Sequence, residues 1–165
     1  MYDTIVPPLK RALSNLAHIL KRGEEHADAK KIEHTILLNA RLFPDMYSLI
    51  RQVQIATDMS KGGVARLAGL EVPHYEDDET TFAELQARIA KTIAFIDSVK
   101  PAQMEGAETR DITLVVRNKP MEFKGLDYLL KWVNPNVYFH VTTAYNILRH
   151  NGVELGKPDY LRGKA

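Results

Sequence analysis

The sequence predicts a mainly all-α protein: an up-down four-helix bundle with a small β-hairpin inserted before the last helix. Three observations carry this. Long segments repeat apolar residues at steps of three and four, the spacing that gathers them on one helix face. A short stretch near residues 111–124 changes to the two-residue alternation of strands. Proline, glycine and capping residues stand where such helices would start and stop.

Ile5, Leu9, Leu13, Leu16 and Leu20 define the first helix, with Ala12, Ala17 and Ile19 beside them. Asp3 or Thr4 can cap it, and Pro7-Pro8 fit if they lie in its first turn. Gly23 is one candidate end, and a run to about Ala29 is the other. After a solvated connection through Lys30-Lys31 and Glu33, Thr35–Arg41 has the pattern of a short helix.

Pro44 is expected to open a long second helix, about 44 to 69, with Asp45 favourably placed near its positive end. Met46, Leu49, Ile50, Val53, Ala56, Met59, Val64 and Leu67 form its stripe, Gly62-Gly63 offer a kink, and Gly69 an end. Val72–Thr80 reads as a loop whose acidic run, Glu76-Asp77-Asp78-Glu79, is solvated. Thr81 and Glu84 make a capping box for a third helix carrying Phe82, Leu85, Ile89, Ile93 and Ile96, stopped by Pro101.

Asp111–Arg117 and Met121–Lys124 alternate on either side of Asn118-Lys119-Pro120, as a hairpin does. A short helix is expected over 125–133. Asn134-Pro135 then supply a cap and a first-turn proline for a last helix of about 135 to 151, with Gly152 at its end. No internal repeat divides the chain, so residues 1–165 read as one domain.

Composition narrows the function. With 22 Lys+Arg against 21 Asp+Glu, the net charge of +1 supplies no footprint for nucleic acid or anionic lipid. The absence of cysteine removes disulfides, thiolate zinc sites, iron–sulfur clusters and a Cys nucleophile. No apolar run reaches the roughly 18 residues of a membrane span. The first residues lack the pattern of a secretory signal, so a cytoplasmic location is expected.

Local motifs are few. Val64–Leu70 followed by a capped helix has the outline of a helix-turn-helix, but the intervening loop is too long and its carboxylates would face phosphates. There is no phosphate-binding glycine loop, nucleophile elbow or His-Glu-x-x-His. Of the six histidines, none forms a His-x-x-x-His pair. His140 stands out because it falls mid-helix among Phe139, Ala144 and Tyr145; it reads either as a hydrogen-bonded core imidazole or as a ligand-facing one. Phe139, Ala144, Ile147 and Leu148 read as core positions; Tyr138 and Tyr145 can carry a polar contact at a pocket, although tyrosine bodies usually just pack. Gln52 lies among apolar neighbours in the second helix, where a buried amide needs partners.

Four segments carry a family likeness: Ala40-Arg41-Leu42-Phe43-Pro44-Asp45-Met46, Gln52-Val53-Gln54-Ile55-Ala56, Phe139–Arg149 and Gly152–Leu161. With the helix layout, they make the chain resemble the DinB/YfiT-like superfamily, and more closely a bacterial family in it known as a domain of unknown function. Members of the superfamily typically hold a divalent metal with one histidine on the second helix and a His-x-x-x-His pair on the fourth, and some are thiol-dependent transferases or hydrolase-like metalloenzymes. The resemblance places the pair on Asn136 and His140 and the third ligand near Gln52, so only His140 is retained. Amides are poor substitutes for imidazole on such metals.

The resemblance therefore implies a degenerate metal site. Its candidate pocket comprises Gln52, Asn136, His140 and Tyr145, with no cofactor expected and a divalent metal disfavoured. The expected function is a homodimeric small-molecule-binding or interaction domain. The alternative is a metal-dependent, thiol-transferase-like enzyme using His140 with ligands such as Asp45 or Asp58.

Overall fold

In the computed structural model, which describes residues 1–163, the first helix α1 runs unbroken over Tyr2–Lys30. Its predicted stripe, Ile5, Leu9, Leu13, Leu16 and Leu20, is fully buried. Gly23 does not end it. A Cβ there would lie 2.9 Å from Leu148 Cδ2, so the glycine lets the last long helix close in. The end comes at Lys31, which takes the left-handed conformation at φ 55. Because α1 starts at Tyr2, Pro7 and Pro8 fall in its second turn rather than its first. They therefore withdraw the donors that the carbonyls of Asp3 and Thr4 would normally meet.

A short α2 (His34–Asn39) leads into α3 (Leu49–Ala68), which begins five residues later than the proline suggested. Phe43 precedes Pro44 and is pushed away from helical geometry. The segment instead turns on itself through Met46 N–H to Phe43 O at 3.0 Å and Arg41 Nη1 to Met46 O at 2.9 Å. α3 passes Gly62-Gly63 without a break and ends at Gly69, φ 70. At Gly63 a Cβ would sit 2.7 Å from Val133 Cγ1, so close packing, not kinking, accounts for that glycine.

The capping box of α4 (Phe82–Ser98) forms as read, with Glu84 N–H to Thr81 Oγ1 at 3.2 Å and Thr81 N–H to Glu84 Oε2 at 2.9 Å. Two 3-10 turns follow, the first opened by Pro101. β1 (Asp111–Val116) and β2 (Lys119–Lys124) pair antiparallel, from Asp111 opposite Lys124 to Val116 opposite Lys119. Arg117 (φ 49) and Asn118 (φ 62) alone make the turn, so Lys119 and Pro120 belong to the strand.

The end of the chain departs further from expectation. α5 (Gly125–Tyr128) runs through a π-helical turn, Leu129–Val133, directly into α6 (Asn134–His150). Asn134 has helical angles, φ −59 and ψ −49, and so is not a cap. Pro135 offers no N–H to the carbonyl of Lys131 and its ring crowds that oxygen; the wider π turn just before it accommodates both effects. The tail forms one more short helix, α7 (Lys157–Arg162), lying against α1.

The four long helices, α1, α3, α4 and α6, run up, down, down and up. Gln52 faces His140 and Gly63 faces Val133, so α3 and α6 are antiparallel. The link after α3 returns along it, as the contacts of Asp77 with Arg51 and Glu79 with Gln54 show, so α4 starts beside the N-terminal half of α3 and runs parallel to it. Consecutive helices therefore alternate at α1/α3 and α4/α6 but not at α3/α4. The hairpin precedes the last long helix, and no described helix is long and apolar enough to cross a membrane.

Candidate functional site

His140 lies on the core face of α6, between Val137 and Ala144, and is 8% exposed; Gln52 lies opposite on α3 and is 2% exposed. Gln52 Nε2 donates to the carbonyl of Tyr47 at 3.1 Å, which orients the amide and leaves Oε1 as the acceptor facing His140 Nδ1 at 2.7 Å. Nδ1 must then carry the imidazole proton. Nε2 is left with a lone pair; among the described residues it has no hydrogen-bond partner, and it is not sealed from solvent. Burial, helped by the charge of nearby Arg51, lowers the His140 pKa to about 4. The ring is neutral at physiological pH.

The other two sequence candidates stand apart from this pair. Asn136 is one turn before His140, but its Nδ2 donates back to Trp132 O on its own helix at 2.7 Å. Tyr145 faces the tail, its ring 6.2 Å from that of Tyr160, beside a hollow of about 180 Å³ that also touches Thr142, Asn146 and Lys157. Phe139 is not a core residue as its spacing suggested. It is 55% exposed, and its ring meets the imidazole edge to face at 5.2 Å. The apolar core face of α6 is set by Val137, Val141, Ala144, Ile147 and Leu148, the last three as their spacing implied.

The donor set does not fit the superfamily's metal. One imidazole nitrogen is free, the Gln52 and Asn136 amides are engaged elsewhere, and no three His, Asp or Glu side chains among the described residues converge as metal ligands. Asp45 is exposed in the turn before α3, and Asp58 is held by Arg88 at 2.8 Å.

A second polar cluster escapes a reading of the sequence alone. Arg88, in the apolar stripe of α4, is buried and reaches Asp58 and Glu79 at 2.8 and 2.9 Å, Asp77 at 3.0 Å, and Thr57 Oγ1 at 2.7 Å. The acidic run is thus only partly solvated: Asp77 and Glu79 turn inward to this guanidinium. Asp77 also pairs with Arg51, the residue beside Gln52. The one signal in the sequence is an arginine at a core position of α4, which requires carboxylates from somewhere.

Residues 1–161 match the family described as Domain of unknown function (DUF1993). Among solved structures, the chain is similar to the crystal structure, at 1.83 Å resolution, of a DinB family member protein from Shewanella denitrificans. The two are 44% identical, the match covers 99% of this chain and 94% of that one, and the TM-score is 0.92. No curated protein matches.

Proposed function

The chain belongs to the DUF1993 family and is a DinB-like bundle, and from that premise we propose that it is a homodimeric small-molecule-binding domain whose site is the Gln52–His140 pair, at the position of a degenerate metal centre. The observation that carries this reading is the 2.7 Å bond that fixes the His140 proton on Nδ1 and leaves Nε2 as a neutral acceptor. Such a nitrogen receives a hydrogen bond from a hydroxyl or N–H of a ligand. A pKa near 4 makes it a weak proton acceptor at neutral pH, which favours binding over general-base chemistry. The metal-dependent transferase reading needs ligands that the surrounding side chains do not supply.

The dimer rests on exposed rings beside the pair. Phe43 and Tyr47, in the turn that Gln52 grips, are 64% and 56% exposed, and Phe139 flanks the imidazole. A patch of this kind is suited to burial against a second copy around a two-fold axis.

A fragment screen read by the ¹⁵N shift of His140 Nε2 tests the site. Fragments bearing a hydroxyl or N–H donor should move that resonance and lose their thermal stabilisation in His140→Phe. About one equivalent of metal in chelator-free protein, lost in His140→Ala, would overturn the reading in favour of the metalloenzyme. Sedimentation at twice the chain mass, reverting toward the monomer in Phe139→Ser, tests the dimer.

A further inference from the structure

A different space, between α1, α6 and α7, has features of a ligand site. α7 contributes no buried residue and is strapped to the body by polar contacts. Asn15 Nδ2 donates to Tyr160 O at 2.7 Å, His18 meets Asp159 at 2.8 Å, and the Thr142 hydroxyl reaches Tyr160 OH at 3.1 Å. Beneath this strap lies an unfilled space of about 310 Å³, walled by Pro7, Pro8, Val141 and the rings of Tyr138 and Tyr160. The space is a groove open to solvent on one side, and its size is at the lower end for small-molecule pockets.

Two opposite charges line the same space. Arg11 has no carboxylate within 4.0 Å among the described residues, and Asp3 has no cation.

We infer that the space under α7 is a binding site for a small aromatic monocarboxylate bearing a hydrogen-bond donor on its far side. The flat body lies between the prolines and the tyrosine rings, the carboxylate is gripped by Arg11, and the donor meets the Asp3 carboxylate. This site is separate from the Gln52–His140 pair, because Tyr138 stands two residues before His140 and so on another face of α6.

The test is titration of 4-hydroxyphenylacetate into the full chain, followed by the aromatic resonances. Saturable shifts are expected at Tyr138 and Tyr160, with the His140 imidazole unmoved. Arg11→Gln should weaken binding by about tenfold while leaving the melting temperature unchanged, since a charge-assisted bond is lost from an exposed, unpaired residue. Tyrosol, which lacks the carboxylate, should bind as weakly to the wild type. Three results would overturn the inference: no saturation at millimolar probe, an affinity indifferent to Arg11→Gln, or shifts centred on His140.

Discussion

Gln52 Oε1 accepts the Nδ1 proton of His140 across the antiparallel contact of α3 and α6. The bond serves structure and chemistry together. It satisfies a buried donor in the middle of the bundle, and it chooses which imidazole nitrogen remains available. The choice is not reversible by a simple amide flip, because Gln52 Nε2 is already committed to the Tyr47 carbonyl. The turn before α3 therefore helps to set the tautomer of a residue on the last long helix.

Replacing the amide separates these roles. Gln52→Leu leaves the His140 N–H and the Tyr47 carbonyl without partners and should lower stability by about 1–3 kcal/mol in urea denaturation. Gln52→Glu places a carboxylate against the ring, favours the imidazolium, and should raise the His140 pKa from about 4. A titration of the His140 Cε1 proton reads that shift directly. An unmoved pKa would mean that residue 52 does not face the ring.

The depressed pKa also sets a pH dependence. From its ordinary 6.5 to about 4 in the folded chain, the proton binds the unfolded state first. His140 thus has no effect on the pH dependence of stability above about pH 7, and its contribution falls as pH drops from 6.5 toward 4, by about 3 kcal/mol in all. The difference in unfolding free energy between wild type and His140→Leu, measured at steps from pH 7.5 to 4, should shrink by that amount. A constant difference would contradict burial of a neutral ring.

The sequence made the helices legible because their apolar residues repeat at 3.6, and the Thr81–Glu84 box because its spacing is local. What it left obscure depended on contacts distant in the chain. Gly23 and Gly63 look like breaks, yet each admits a side chain from α6 or the turn before it, Leu148 and Val133. Asn134-Pro135 looks like a helix start, but the hydrophobic packing of Leu129 and Val133 keeps the chain helical through the π turn. Of the candidate site, Gln52 and His140 come together as their common place in the resemblance implied, whereas Asn136 turns back to Trp132 on its own helix and Tyr145 faces Tyr160 of the tail. The Arg88 cluster was signalled only by the arginine itself, because two of its carboxylates, Asp77 and Glu79, lie on a loop whose return along α3 is a tertiary event.

Arg88 is the pin of that return. Arg88→Met would leave Asp58, Asp77 and Glu79 clustered without their shared cation, and should cost about 3–5 kcal/mol and loosen the crossover link. Burial acts to raise the Asp77 pKa, but Arg51 and Arg88 together hold it below the usual carboxylate range. Its stabilising contribution is therefore complete above the unfolded carboxylate pKa and lost as pH falls through the lower folded value. Hydrogen exchange over residues 70–80 should accelerate in the variant at neutral pH. Unchanged protection there would show that the link is held by other contacts.

Two glycines distinguish a steric demand from a conformational one. At Gly125, where β2 passes into α5, a Cβ would lie 1.8 Å from the backbone oxygen of Ala107 and 3.0 Å from Leu67 Cδ2. The oxygen belongs to backbone and cannot rotate away, so Gly125→Ala must push the 3-10 turn off α5 and should cost at least about 3 kcal/mol. Gly106 has φ +67, but a methyl group there would meet nothing within 4 Å, so Gly106→Ala suffers only left-handed strain, about 1 kcal/mol. Paired denaturation curves should therefore rank Gly125→Ala well below Gly106→Ala. Equal losses would mean that the approach of Ala107 to Gly125 is not a fixed contact of the folded chain.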